Sequence, residues 1–126
     1  MSPSAAKNSK EYFIAYSLMI NAAQHQGFCT YQEIAQAVGL PTAGSYMGSV
    51  VGELLGNISE NEVSLGRPML SAIVVGVNGK PGSGFIPYAK ELGLFKDGDD
   101  EDTFWQKECQ KIYEEWKTNY RVSHSK

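Results

Sequence analysis

The chain has 126 residues, 42% of them hydrophobic and 20% charged, with a formal net charge of -3. This length suits one ordinary domain and is short for two, and the fractions are those of a globular protein. No apolar run reaches the roughly 18 residues a bilayer span needs, so no membrane partner is expected, and the strongly basic balance of a dedicated nucleic-acid binder is missing.

The opening "MSPSAAKNSK" is small and polar, without the apolar centre of a signal peptide. It reads as a flexible lead over residues 1–9, and cytoplasmic residence is the expectation. In "EYFIAYSLMINAAQ", Tyr12, Phe13, Tyr16, Met19, Ile20 and Ala23 recur at helical spacing, which predicts an amphipathic helix ended by Gly27. In "TYQEIAQAVGL", Thr30 is a natural N-cap and Glu33, three residues on, completes a capping box. Ile34, Ala35 and Val38 form its buried stripe, and Gly39 its stop. A third helix over 43–58 follows Pro41, with Thr42 as its candidate cap and Met47, Val50, Val51, Leu54, Leu55 and Ile58 as its apolar face. Two helices joined by a tight Gly-Leu-Pro turn have the form of a helix-turn-helix.

Gly44, Gly48, Gly52 and Gly56 recur every fourth residue along that third helix. Each interior glycine costs about 0.5–1 kcal/mol relative to alanine, so close backbone packing should compensate. The first or second helix of this chain could supply it, or a partner could.

The polar "SENEVSLGRP" reads as a loop, and "MLSAIVVGV" as a buried strand over 70–77. "NGKPGSG" then turns the chain, with Asn78 and Gly79 suited to positive φ and Phe85 opening a short return strand. "IPYAKELGLF" reads as a short helix stopping at Gly93. Five acidic residues in "DGDDED", 97–102, form a solvated linker whose last carboxylates favour the amino end of a helix over 103–120. That helix aligns Trp105, Cys109, Ile112, Trp116 and Tyr120 for packing on the body. Cys29 and Cys109 have no Cys or His neighbours at metal-ligand spacing and read as reduced, partly buried thiols.

The Gly-rich turn is not a phosphate cradle of known form. Gly76 and Gly79 are two residues apart where a P-loop needs four, and Pro81 follows Lys80 where Ser or Thr should be. A dinucleotide fingerprint fails because Pro87 stands at the third glycine position. No cofactor and no metal are expected.

The order helix, helix, strand, Gly-rich turn is that of a winged helix. The run "TYQEIAQAVG", "SYMGSVVGEL", "VVGVNGKPGSGF" and "AKELG", residues 28–95, resembles the DNA-binding domain of the alkylguanine-DNA alkyltransferases and their alkyltransferase-like relatives. The resemblance implies a mainly helical α+β fold, winged-helix-like, with a small β-hairpin and flanking N- and C-terminal helices. It also implies that Tyr31 presses on a phosphate, although a Tyr beside an N-cap serves equally as packing. The departures fall on the chemistry. Leu70, Ser71, Ala72 and Ile73 stand where the family carries Pro-Cys-His-Arg, and Ser45 or Gly44 where it carries the arginine that replaces a flipped base. Alkyl transfer needs a thiolate and a histidine to activate it, and the histidines here, His25 and His124, lie outside the block.

The expectation is therefore a non-catalytic winged-helix-like DNA-binding or regulatory protein that touches double-stranded DNA weakly or non-specifically through Tyr31, Ser45, Tyr46, Ser49, Arg67, Lys80 and Ser83. The alternative is a small protein-interaction module that binds a protein partner or itself. The second reading draws on charge, since residues 43–62 contain Glu53, Glu60 and Glu62 but no Lys or Arg.

Overall fold

The first helix shows how the chain assigns its faces. In the computed structural model, which describes residues 3–117, α1 runs Lys10–Gln24, capped by the Ser9 hydroxyl accepting from the Tyr12 N–H at 3.1 Å. Tyr12, Ala15, Met19 and Ala23 are its buried stripe, three and four residues apart. Phe13, expected on that stripe, lies one residue (about 100°) out of phase and is 53% exposed. The helix ends as its C-terminal carbonyls accept from the N–H groups of residues 25–27, with Gln26 rather than Gly27 in the left-handed region at φ 56°. A side chain there costs about 1 kcal/mol. Gln26→Gly should accordingly raise the thermal midpoint by a few degrees, and a midpoint that stays or falls would show that this turn carries no such strain.

Cys29–Thr30 forms β1 and leads directly into α2, Tyr31–Ala37. The capping box is complete: Thr30 Oγ1 accepts from the Glu33 N–H at 3.0 Å, and Glu33 Oε1 from the Thr30 N–H at 2.7 Å. Gly39, at φ 85°, turns the chain out of the helix. α3 spans Ser45–Ser64 and differs from expectation at both ends. Its N-cap is Gly44, at φ 97° where side chains are strained, and Thr42 does not cap it. At the other end the first six residues of the "polar loop", 59–64, continue the helix. Its inward-facing positions are Ser59 and Glu62, which are buried because polar partners await them inside, so hydrophobic periodicity could not reveal them.

Of the buried strand expected over 70–77, residues 70–75 are buried, together with Met69, but Val77 is 95% exposed, and the segment is not one strand. Leu70–Ile73 is a 3-10 turn, and only Val74–Val75 is strand, β2. The backbone finds side-chain partners in place of a sheet: the Ser71 N–H donates to Ser59 Oγ at 3.1 Å and the Met69 N–H to Glu108 Oε2 at 3.0 Å. β2 pairs in parallel with β1, Cys29 opposite Val74 and Thr30 opposite Val75. The expected hairpin shrinks to one antiparallel bridge, Val75 to Pro81, because proline has no N–H to continue a ladder and the glycines beyond it give a strand little to pack. Among the two turn residues, Gly79 alone takes positive φ, at 74°. Phe85 opens α4, Phe85–Glu91, instead of a return strand.

α5 begins two residues early, Glu101–Trp116, because Asp100 caps it by accepting from the Thr103 N–H at 2.9 Å. Glu101 and Asp102 thus belong to its first turn, and Tyr120 lies outside the described residues. The result is a mainly helical α+β fold with a small two-stranded parallel sheet. Met19, Ile34, Leu54, Ile58, Leu70, Ile73 and Ile112 are fully buried and join α1, α2, α3, α5 and the 3-10 turn in one core. No helix among the described residues is long and apolar enough to cross a membrane.

Candidate functional site

The proposed contact residues fall into three places. Tyr31 opens α2 and lies half-buried against the Gly-rich loop. A Cβ at Gly82 would overlap its hydroxyl and stand 2.8 Å from Cζ, so only glycine lets the loop come this close. Burial pushes the Tyr31 phenol above its usual range, and the Gly82 N–H, aimed at the phenol oxygen, works the other way. Tyr31 is a packing residue of the loop here, while Lys80 and Ser83 are exposed beside it.

Ser45, Tyr46 and Ser49 are exposed on the first turns of α3. Gly48 and Gly52 open onto space: a Cβ on either meets nothing within 4 Å. At Gly56 a Cβ would meet the Tyr88 ring of α4 at 3.6 Å, an ordinary contact that leaves room for alanine, so the close packing expected along the glycine stripe does not occur against α1, α2 or α4.

Arg67 is not with the others. It follows α3, whose 20 residues carry it about 30 Å from Ser45. Its guanidinium forks onto Glu62 at 2.9 Å from both Nε and Nη2, reaches the Tyr16 hydroxyl at 3.2 Å, and lies over the Trp116 ring at 5.3 Å. Tyr16 donates to the same carboxylate. This network ties α1, α3 and α5 together.

Lys80 is also engaged. Its ammonium is 3.2 Å from Asp102 Oδ1 and 5.3 Å from the centre of the Trp105 ring. The acidic run therefore folds back beside the Gly-rich loop, and a second pair, Lys90 to Asp97 at 3.4 Å, ties it to α4. A cavity of about 450 Å³ opens between residues 80–83, α4 and the first turn of α5. Lys90, Glu101, Asp102 and Trp105 were not singled out as site residues by the sequence. Their convergence is a long-range contact, and the nearest signal was the acidic run itself.

Ser71 is buried and accepts from the Ser59 hydroxyl at 2.8 Å. The recess that it shares with Tyr31, Gly52 and Gly82 holds about 40 Å³, room for one or two waters and far too little for a purine. His25 sits at the exposed end of α1, its ring bonded to the Asn21 carbonyl. Burial pushes the Cys29 thiol up to about 11 and the Cys109 thiol to about 12, so neither supplies thiolate at neutral pH. Among the described residues, no group of three His, Cys, Asp or Glu is placed to hold a metal ion. Comparison with protein-family models, with curated proteins and with solved structures finds no match.

Proposed function

We propose that the chain is a non-catalytic, winged-helix-like interaction module whose α3 and Gly-rich loop meet a protein surface rather than a phosphate backbone. Residues 28–95 would be the body that resembles the alkyltransferase-like family, with α2 and α3 as its helix pair and residues 76–84 as its wing. One observation carries the choice of partner: where such a fold would meet DNA, cations are missing or already engaged. α3 carries no Lys or Arg, the wing's Lys80 is paired with Asp102, and Arg67 is committed to Glu62 at the far end of α3. Affinity for a duplex comes largely from cations near phosphates, each releasing counterions. What α3 offers outward is Ser45, Tyr46, Ser49 and Gly52 followed by the carboxylates of Glu53 and Glu60, a face that repels a phosphate backbone and leaves a protein as the partner.

The absence of chemistry rests on Ser71, whose hydroxyl has a serine for a neighbour, and on thiols held protonated by burial. Supplying the missing charge tests the reading. Ser45→Arg/Ser49→Lys should create retardation of a short duplex at low salt, lost as salt rises, where the native chain gives none. A native chain that binds as well as the variant would overturn it.

A further inference from the structure

The 450 Å³ cavity beside the Gly-rich loop carries two cations and two anions, and they are segregated: Lys80 and Lys90 stand on the loop and α4, Glu101 and Asp102 on the first turn of α5. The lining is neutral in sum, so neither a basic nor an acidic segment gains from it, whereas a second copy related by a two-fold axis sets each sign against its opposite. Lys80 is already on Asp102 at 3.2 Å. That leaves Lys90, held 3.4 Å from the exposed Asp97, and Glu101, which makes no ion pair among the described residues. The floor is apolar, with Phe85 and Ile86 from α4 and the Trp105 ring, whose Nε1–H is fixed on the Ala72 carbonyl at 2.7 Å. The loop itself displays what such a floor accepts. Val77 is 95% exposed, on a turn that three hydrogen bonds hold: the Gly76 N–H to the Lys80 carbonyl at 2.9 Å, the Gly79 N–H to the Gly76 carbonyl at 3.0 Å and the Lys80 N–H to Asn78 Oδ1 at 3.0 Å. A side chain presented so rigidly loses little entropy on docking.

From this self-complementarity we propose that two copies of the chain associate about a two-fold axis through the surface formed by the Gly-rich loop, α4 and the first turn of α5. Val77 of each copy enters the apolar floor of the other, and Lys90 of each pairs with Glu101 of the other. The loop forms one wall of the cavity, so a single rotation makes both halves of the contact, and the assembly closes at a dimer. The two valines leaving water supply most of the attraction. The exposed ion pairs fix the register and add little. The patch is small, so the dimer is transient. The inference rests on the reading of the Gly-rich loop as a protein-contacting element and names its partner, without using α3.

Sedimentation equilibrium of the full chain from about 10 µM to about 1 mM, the range for so small an interface, should show the mass rising from monomer towards dimer and no further. Val77→Ser should weaken association at least about tenfold, since both copies lose the apolar contact, and should leave the thermal midpoint unchanged because the side chain lies outside the core. Lys90→Glu and Glu101→Lys should each weaken it about three- to tenfold. Mixing those two variants should restore it, because every pair across the axis then joins opposite charges again. Thermal midpoints check that the charge variants fold. A monomer throughout that range, growth beyond the dimer, association unchanged by Val77→Ser, or a mixture no tighter than its components would each overturn the proposal. Duplex retardation by the native chain bears on the α3 reading alone, so the two failures are distinguishable.

Discussion

Replacing Arg67 by leucine is expected to cost about 3–5 kcal/mol, the range for leaving a buried charge without its partner. Glu62 is fully buried, and both its oxygens accept from Arg67 at 2.9 Å. Without the guanidinium, the buried carboxylate keeps only the Tyr16 hydroxyl as a side-chain partner. The double replacement Glu62→Leu/Arg67→Leu should cost much less than Arg67→Leu alone, because removing both charges removes the desolvation problem with them. Urea unfolding read through its midpoint and slope measures all three variants. An Arg67→Leu loss below about 1 kcal/mol would place the pair with ordinary surface ion pairs.

The second large effect is alkaline. Burial holds the thiols of Cys29 and Cys109 at about 11 and about 12, against an ordinary 9.0, and the phenols of Tyr16 and Tyr113 at about 12, against 10.0. An acid whose folded pKa lies above its unfolded value keeps its proton more firmly when folded. Its contribution is complete below pH 9 for the thiols and below pH 10 for the phenols, and is lost as pH climbs through the folded values. Each pH unit is worth about 1.4 kcal/mol, so the two thiols, raised from 9.0 to about 11 and about 12, together represent on the order of 7 kcal/mol, comparable to the whole stability of a small domain. Stability should fall steeply above pH 9. Cys29→Ala/Cys109→Ala should hold its neutral-pH stability to about pH 10, where the tyrosines begin to titrate. Parallel curves for variant and native protein would show that the thiols are not the titrating groups.

Local rules in the sequence gave what local rules govern. The capping box at Thr30 and Glu33, the stop at Gly39 and the helical phase of Cys109 and Ile112 appear where the spacing put them. The misses share one cause, a backbone or charged group satisfied from far along the chain. Glu62 reads as loop because its partners, Tyr16 and Arg67, are not part of any periodicity. Leu70–Ile73 reads as strand because Ser59 and Glu108, which hold its amides, lie on separate helices. Likewise Lys80 stands alone in the sequence as the cation of a loop tip, and only the return of α5 brings Asp102 and Trp105 to it. Of the residues chosen for contact, Lys80 and Ser83 are exposed on the loop and Ser45, Tyr46 and Ser49 on α3, whereas Tyr31 is committed to Gly82 and Arg67 to Glu62.

The claim that this face does not serve a phosphate backbone is tested most directly by titrating a labelled short duplex with the native chain at low salt and following its anisotropy. No rise is expected up to about 100 µM, the weak limit of non-specific binding. Micromolar binding that weakens with salt as two or three phosphate contacts require, and that Lys80→Glu abolishes without lowering the thermal midpoint, would contradict it.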